Sequence, residues 1–543
     1  MITSIELENV RLFEGVGWSF PLSRLTVFCG MNSAGKSTVL KVLLLLRQSL
    51  GLRESSAPKP KLRFVGSEVD LGNYSSFVSH NDANRDIRIG LGISASMPVS
   101  FYEQLQTLKS KDSLLPFTLP TGHPEGRVDY LLSCNFTFGI QRGRSTQPTV
   151  DEVLSAGQVG EDADDTSRIE RGPVLKTASF QILSGDEELL RWEISFSGPN
   201  NESPQPLYQL KVPRRYIVAS NIECLETNTS DEYIYLSTFM RGLFPDRIIA
   251  GVVPDPKAAV SDKTEYRLWP VPLHIENVLR DLRNSLANIQ YLGPLRSPAK
   301  RYNTTQMDPD TVGDPAGEFL PSLLHDRSDQ QVWFTTPAIG SGRQKADLSR
   351  ALDMWLYYFR TGEWCDDHGV GQGELRLNTF RDTLVQISLK SVLGTESFPL
   401  ADSGFGYSQV LPILARGLMT RVGSTLIVEQ PEVHLNPALQ VRVAAFLVAM
   451  ARAGKQVLVE THSEHIVNTV RVLSAEDSTG EVAALSRVLY LESGGKLPTL
   501  HELSVLPDGT VPEWPRNFFG EAASLAGRLL RAQSHTKRQD RSK

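Results

Sequence analysis

A glycine-bounded loop between a strand-like segment and a helix-like segment constrains this chain more than any other feature. The loop reads GMNSAGKS over residues 30–37 and fits the pattern G-x-x-x-x-G-K-[ST] at every fixed position. In that pattern the glycines let backbone N–H groups point at phosphate oxygens, the lysine reaches the β- and γ-phosphates, and the hydroxyl binds Mg²⁺. The residues expected to contact the nucleotide are Gly30, Asn32, Ser33, Ala34, Gly35, Lys36, Ser37 and Thr38. We therefore predict a nucleoside triphosphate site.

The segments that flank the loop are typical of a strand followed by a helix. Residues 25–29 read as a buried strand, and residues 38–48 contain neither Gly nor Pro. A helix that begins near Gly35 would direct the positive end of its dipole at the bound anion. The alternative is a tight turn without a ligand.

Two strand-like segments late in the chain end in polar residues suited to the same site. One segment, "STLIV", leads into Glu429, and another ends just before Thr461-His462-Ser463. The carboxyl ends of parallel strands meet at one edge of a sheet, so Glu429 is a candidate Mg²⁺ contact there. A neutral His462 is suited to bind the γ-phosphate or the attacking water. The simpler alternatives are a surface carboxylate and a structural histidine.

Together the motifs resemble the ABC-type ATPase class shared by chromosome-maintenance (SMC) heads, Rad50-like repair proteins and overcoming-lysogenization-defect (OLD) ATPases. They are, in order, GMNSAGKST, DSGFGYSQ (402–409), LIVEQPEVHLNP (426–437) and VETHS (459–463). The segments YLGPLRSPAKRY and VLPDGTVPEWPRNFF are similar to an OLD-like AAA ATPase family with a C-terminal domain of unknown function. That group includes ATPase subunits of Septu-type and retron-linked anti-phage systems of bacteria.

The resemblance implies an α/β fold: an ABC-type P-loop ATPase head with a β-rich N-terminal lobe and a helical or irregular insertion between its half-sites. It implies ATP and Mg²⁺ as cofactors, Lys36 and Ser37 as their ligands, Glu429 as the Walker B acid and His462 as the switch histidine. A signature segment would cap the ATP of a partner subunit, through Ser403, Gly404, Gly406, Ser408 and Gln409. The usual Ser-Gly-Gly triplet is absent, so either Ser403 or Ser408 is a candidate for the signature serine.

Gln430 departs from the pattern of this class. The position after the Walker B acid normally holds a glutamate that orients the attacking water, and an amide cannot take the proton of that water. Glu432 and His462 are the candidates to replace it, although we expect Pro431 to turn Glu432 away from the γ-phosphate. We therefore expect slow hydrolysis and a persistent ATP-bound dimer.

The motifs divide the chain into consecutive segments. These are the Walker A half of the head (1–95), an insertion (96–285) with a polar loop (138–172), a helical lobe (286–395), the half with signature, Walker B and switch histidine (396–500), a docking segment (501–532) and a basic tail (533–543).

Composition narrows the possible partners. The 56 Lys and Arg residues against 62 Asp and Glu give a net charge of −6, so a nucleic-acid contact would need a local basic patch, such as 294–302. The alternative is that the arginines of this patch pair with acids inside the head or touch nucleotide. Four scattered cysteines form no C-x-x-C pair, and neither a signal core nor a membrane-length apolar segment is present. We expect a cytoplasmic protein without membrane contact.

Three function classes follow from the resemblance. The first is a defence ATPase that forms a homodimer or higher oligomer and regulates a separate effector, which we expect to be a nuclease. The second is a Rad50- or SMC-like DNA-repair ATPase, although the region between the half-sites lacks the heptads of a coiled coil. The third is the cytoplasmic subunit of an ABC transporter.

Overall fold

The computed structural model describes most of the chain. The described residues are 1–50, 60–109, 126–141, 172–197, 208–213, 233–252, 265–304, 314–318, 320–366, 374–380, 384–390, 396–403, 405–493, 495, 497–515, 527–529 and 531. The strands are β1 (Ile2–Glu8), β2 (Trp18–Pro21), β3 (Leu25–Gly30), β4 (Ile87–Pro98), β5 (Arg127–Gln141), β6 (Gly172–Ser184), β7 (Glu187–Phe196), β8 (Tyr208–Pro213), β9 (Tyr233–Arg241), β10 (Phe244–Val252), β11 (Glu265–Pro270), β12 (Gln290–Leu292), β13 (Asn303–Thr304), β14 (Gln331–Phe334), β15 (Gln344–Asp347), β16 (Leu375–Phe380), β17 (Leu384–Lys390), β18 (Ser397–Pro399), β19 (Thr425–Glu429), β20 (Gln456–Glu460), β21 (Ser486–Glu492) and β22 (Thr499–Leu503). The helices are α1 (Lys36–Ser49), α2 (Tyr74–Phe77), α3 (Val99–Lys109), α4 (Leu273–Ala287), α5 (Leu320–Arg327), α6 (Leu348–Thr361), α7 (Phe405–Met419), α8 (Pro437–Arg452), α9 (Glu464–Glu476) and α10 (Glu481–Leu485).

A six-stranded sheet holds the phosphate-loop strand near its centre. Its order is β12-β19-β20-β3-β21-β22, and every neighbouring pair except β21–β22 is parallel. The strands β3, β19 and β20 are short apolar runs that are buried along nearly their whole length, as expected for parallel strands covered on both faces. Their carboxyl ends lie at the same edge of the sheet.

The central sheet separates two hydrophobic cores, because alternate residues of a strand point to opposite faces. Ile427 and Leu458 belong to the core that contains α1, whose leucines from Leu43 to Leu46 are fully buried. Val428 and Val459 belong to the other core, which contains α6, α7 and α8. Packing on both faces holds the loop edge of the sheet in place.

A ten-stranded antiparallel sheet forms the second large layer. Its order is β11-β10-β9-β8-β7-β6-β5-β4-β1-β2. The predicted α/β class with a β-rich N-terminal lobe is confirmed. The expectation of a helical or irregular insertion at 96–285 needs correction in its described part, where β5 to β11 extend the N-terminal sheet and only α3 and α4 are helices. In β7, for example, buried residues alternate with exposed or half-exposed residues over 191–195, as in an antiparallel sheet with one buried face.

Other segments also differ from expectation. The region expected to be a helical lobe, 286–395, holds α5 and α6 but also the hairpin β14–β15 and the strands β13, β16 and β17. β4 runs through the expected boundary at 95, and β22 runs through the one at 500. Of the expected polar loop, residues 142–171 lie outside the described residues, as do 533–543 of the basic tail. No helix in the described parts of the chain is long and apolar enough to cross a bilayer.

Candidate active site

The loop between β3 and α1 has the backbone that its glycines allow. Gly30 has a φ of +124° and Gly35, which precedes α1, a φ of +96°. A Cβ at Gly30 would lie 2.1 Å from the backbone oxygen of Leu491, and one at Gly35 would lie 2.6 Å from Cζ of Phe13. Both positions therefore need glycine for space as well as for conformation. The 14-residue helix α1 begins directly after this loop, and no side chain caps it at Gly35, an arrangement that favours anions at its N-terminus.

Lys36 folds back over the loop. Its side chain is only 3% exposed, and Nζ donates to the backbone oxygens of Gly30 at 3.1 Å and Met31 at 2.6 Å. Burial lowers the pKa of Lys36, and the carboxylate of Glu460 opposes that effect. The ammonium group is thus held at the loop, where a phosphate chain would replace backbone oxygens as its acceptor.

Ser37 contacts a carboxylate that the sequence motifs do not single out. Its Oγ donates to Oε1 of Glu460 over 2.8 Å. Glu460 ends β20, the strand between the Walker B strand β19 and the loop strand β3. The signal for Glu460 was present in the sequence, since this carboxylate directly follows "VLV" and precedes Thr461-His462.

Glu429 lies beside Glu460 but has different partners. The two residues are paired in the parallel register of β19 and β20. The Tyr291 hydroxyl donates to Oε1 of Glu429 at 3.0 Å, and Nζ of Lys41 lies 3.6 Å from its Oε2. Burial raises the pKa of Glu429 to about 7, although the charge of Lys41 opposes this. The structure thus brings Glu429 to the loop edge as predicted, while its assignment to Mg²⁺ stays a prediction.

The turn after Glu429 connects the two strand ends. Gln430 has a φ of +44°, and its N–H donates to the backbone oxygen of Glu460 at 2.7 Å. The carboxylate of Glu432 accepts from Oγ1 of Thr461 at 2.9 Å and from the N–H of His462 at 2.6 Å. Burial raises the pKa of Glu432. Pro431 therefore directs Glu432 onto the end of β20, where it lies near Lys36.

His462 lies close to both ends of the phosphate loop. Partial burial and the charge of Lys36 lower the pKa of its imidazole. This favours the neutral ring, which is suited to act as a hydrogen-bond partner of a γ-phosphate.

The oxygen ligands at this edge fit Mg²⁺. The hydroxyl of Ser37 and the carboxylates of Glu429 and Glu460 are hard donors, and Oε2 of Glu460 is buried with no hydrogen-bond partner in the described parts of the chain. Among the described residues, no group of three or more His, Cys, Asp and Glu side chains could hold a metal alone. In nucleotide sites, Mg²⁺ usually keeps waters and is bound by one or two protein ligands together with the substrate phosphates.

The predicted signature segment is only partly suited to a partner's nucleotide. Ser408 and Gln409 are buried on α7, and their contact with a partner's nucleotide stays a prediction. Gly404 lies outside the described residues, and Gly406 packs near Leu439. Ser403, just before α7, is half-buried and donates to the backbone oxygen of Leu400. Of the two serine candidates, Ser403 is the more accessible one.

The basic patch at 294–302 contains one buried arginine, Arg296, beside the exposed residues Lys300, Arg301 and Tyr302. Arg296 is 7% exposed and donates to the backbone oxygen of Glu429 at 3.0 Å. Arg301 forms an ion pair with Asp402 at 2.9 Å. The contact of Arg296 fits the alternative that this arginine serves the head itself, while a nucleic-acid contact through the exposed residues stays a prediction.

Comparison with known proteins gives one family match. A family model described as an AAA ATPase domain matches residues 367–467, which include the predicted signature segment, β19 and His462. No curated protein matches the chain.

Several solved SMC heads are similar over most of the chain, with low scores. An Smc head bound to the C-winged helix domain of ScpA is 10% identical, covers 93% of this chain and 98% of its own, and has a TM-score of 0.35. An Smc head with an extended coiled coil bound to the C-terminal domain of ScpA, from Pyrococcus furiosus, is 9% identical with 93% and 96% covered and a TM-score of 0.35. The SMC head domain from Thermotoga maritima is 6% identical with 93% and 99% covered and a TM-score of 0.32. Likeness at this level carries no inference about activity or partners, so the family match and the loop geometry together support a P-loop ATPase.

Proposed function

We propose that this chain binds ATP with Mg²⁺, hydrolyses it slowly, and uses the ATP-bound state to assemble a dimer that regulates a separate effector. One observation carries the nucleotide part of this proposal. The carboxyl edge of one parallel sheet brings together the side chains of Lys36, Ser37, Glu429, Glu460 and His462. Ligands of open α/β sheets bind at this edge, and a phosphate-loop helix begins there.

The chemistry follows from what each side chain offers. Lys36 and the N–H groups at the start of α1 bind the phosphate oxygens, and Ser37 holds the cation. Mg²⁺, when held there, would supply positive charge to the phosphates. His462, held neutral, donates or accepts a hydrogen bond at the γ-phosphate. Gln430 orients water without taking its proton, which is the reason for slow turnover.

Dimerisation on ATP is the part that rests on the signature segment. Ser403 precedes α7 and is half-buried. Its hydroxyl could donate a hydrogen bond to the γ-phosphate of the ATP that a second subunit binds. Slow hydrolysis would let such a dimer persist, which suits a scaffold or sensor.

The role in bacterial anti-phage defence, with a nuclease as the effector, is supported by the sequence motifs at 291–302 and 505–519. The DNA-repair alternative receives no additional support from the site. A plaque assay would test the role: cells that express this chain with the product of an adjacent effector gene should resist phage, and Lys36→Ala should abolish that resistance. Equal resistance of the Lys36→Ala cells would contradict an ATP-dependent defence role.

The nucleotide proposal is tested by equilibrium binding of a fluorescent ATP analogue. Lys36→Ala removes the cation that is expected to bridge the β- and γ-phosphates. Because charge-assisted hydrogen bonds to both phosphates are lost, we expect the affinity for the analogue to fall by about 100-fold or more. Lys345→Ala, at an exposed lysine of β15, is the matched control and should bind as the wild type does. Native affinity in Lys36→Ala would show that the loop is not the site.

A further inference from the structure

Glu460 is placed by the sheet between the two strands that define the nucleotide site. It ends β20, where it is opposite Glu429 of β19 on one side and Phe28 of β3 on the other. A carboxylate at that position lies next to the first turn of α1. Its neighbours in space are therefore the phosphate loop and the Walker B acid.

The surroundings of Glu460 indicate a ligand that the protein does not supply. The side chain is 2% exposed, and its Oε1 accepts a hydrogen bond from the hydroxyl of Ser37. Oε2 is buried and accepts no hydrogen bond from any residue that the structure describes. A buried carboxylate oxygen without a donor is unfavourable unless a cation or an ordered water satisfies it.

Glu429 does not fill this role in the same way. Its Oε1 accepts from the Tyr291 hydroxyl, and its Oε2 faces the ammonium group of Lys41. Both oxygens therefore have partners on the protein. Glu460 differs from Glu429 in this respect. One of its oxygens accepts a hydrogen bond from the Ser37 hydroxyl, which is predicted to bind Mg²⁺, and the other has no donor among the described residues.

We propose that Glu460 is a carboxylate of the Mg²⁺ site, which acts with Ser37 in recognising the Mg²⁺-nucleotide complex. This inference rests on the proposed function, since it needs ATP at the loop. By accepting the hydroxyl hydrogen, Glu460 leaves the lone pairs of Ser37 Oγ for the cation, and Oε2 is an acceptor for the cation or for one of its waters.

A different role would be the neutralisation of Lys36, whose pKa is affected by Glu460. The two roles predict opposite effects on nucleotide binding without metal. A metal ligand can be removed with little loss of metal-free binding, because the triphosphate then meets one negative charge fewer. A partner that positions Lys36 cannot be removed without weakening both kinds of binding.

The experiment measures binding, not turnover. A fluorescent ATP analogue is titrated with excess EDTA and again with Mg²⁺, and Mn²⁺ bound in the presence of the analogue is counted by electron paramagnetic resonance. The variants are Glu460→Gln and Glu460→Asp. Glu492→Gln is the matched control, since Glu492 ends β21 on the other side of β3 and pairs with His501.

In Glu460→Gln we expect Mn²⁺ affinity to fall by about 10- to 100-fold, while binding of the metal-free analogue stays within about twofold of the wild type or becomes tighter. Glu460→Asp keeps the charge and should recover part of the loss. Glu492→Gln should match the wild type. Melting curves confirm that each variant is folded.

Two other outcomes are distinguishable. Unchanged Mn²⁺ affinity in Glu460→Gln, or an equal loss of metal-free and metal-dependent binding, would overturn the role of Glu460 and leave ATP binding intact. Failure of the wild-type chain to bind the analogue with or without metal would instead overturn the proposed function itself.

Discussion

The carboxylate of Glu432 accepts a hydrogen bond of 2.6 Å from the backbone N–H of His462. A second bond, from Oγ1 of Thr461, holds its other oxygen at 2.9 Å. The turn after the Walker B acid is thus tied to the residue predicted to sense the γ-phosphate. A change in the position of His462 on ATP binding would move Glu432 with it, which couples the two candidate replacements for the missing glutamate.

The first prediction concerns Gln430. If this amide only positions water, Gln430→Glu should supply a base and raise the single-turnover rate of ATP hydrolysis by about 100-fold, the lower end of the range for general-base catalysis. The same variant should lose a long-lived ATP-bound dimer. Val472→Glu, at an exposed position of α9, is a control for the added charge.

Other results would identify a different base. An unchanged rate in Gln430→Glu, together with loss of turnover in Glu432→Gln, would show that Glu432 already does the chemistry. If neither variant changes the rate, His462 remains as the base.

The second prediction concerns the stability of this turn. Glu432→Ala leaves the N–H of His462 and the hydroxyl of Thr461 without their acceptor, so we expect the free energy of unfolding to fall by about 1–3 kcal/mol. Urea denaturation of the nucleotide-free protein measures it. Glu476→Ala, at an exposed carboxylate near the end of α9, should change it by less than about 0.5 kcal/mol. Equal stability of the two variants would show that the Glu432 bonds contribute nothing to folding.

The third prediction concerns the first glycine of the loop. Gly30→Ala would place a Cβ 2.1 Å from a backbone oxygen of Leu491, which cannot move without disrupting the β3–β21 pairing. We expect a loss of about 2 kcal/mol or more in stability, together with loss of ATP binding. Gly17→Ala is the control, because Gly17 has a φ of +102° and open space at its Cβ position. A Gly30→Ala variant no less stable than Gly17→Ala would show that the close approach of β3 and β21 is not what requires glycine here.

The fourth prediction concerns assembly. Ser403→Arg should weaken a dimer formed with a non-hydrolysable ATP analogue, because the larger side chain would occupy the space in front of α7. Nucleotide binding by one subunit should be unchanged. Mass photometry distinguishes monomer from dimer, and Ser328→Arg in the turn after α5 is the control. A strict monomer in the wild type with the analogue, or a dimer unaffected by Ser403→Arg, would contradict the ATP-sandwich arrangement.

The parts of the site that follow from short sequence patterns could be predicted, and the parts that depend on packing could not. Lys36 and Ser37 belong to a local loop whose geometry follows from two glycines, and Glu429 and His462 follow apolar strands directly. Glu460 also follows an apolar strand, within the motif VETHS, but its contact with Ser37 depends on β20 lying between β19 and β3, which only the sheet order reveals.

Orientation of helices and long-range strand pairing were the other unpredictable features. The burial of Ser408 and Gln409 depends on which face α7 turns to the core, and the signature pattern does not encode that. The strands of the insertion pair with β4 and with one another in a sheet of ten. Alternation is present in β5, where Tyr130, Leu132, Cys134 and Phe136 are buried and the residues between them are half-exposed or exposed, but alternation does not say which strands pair.

The last prediction concerns the pH dependence of stability. Lys455 is fully buried at the start of β20, and its Nζ donates to the backbone oxygens of Gly417 at 2.8 Å and Leu418 at 2.9 Å. Burial, with the charge of Arg343, lowers the pKa of Lys455 to about 7. In the unfolded chain the pKa of a lysine is about 10.4.

Between pH 7 and about pH 10 the unfolded chain therefore binds a proton at Lys455 that the folded protein does not bind. The free energy of unfolding should therefore rise with pH through this window, by up to about 1.4 kcal/mol per pH unit from this residue. Below pH 7 the destabilisation that comes from burying Lys455 should be fully present. Lys455→Met should remove that part of the slope and stabilise the protein most at low pH. Lys300→Met, at an exposed lysine, should keep the wild-type slope. Urea unfolding at pH 6.5, 7.5, 8.5 and 9.5 compares the three proteins, and parallel curves for Lys455→Met and the wild type would show that the folded protein keeps this lysine charged.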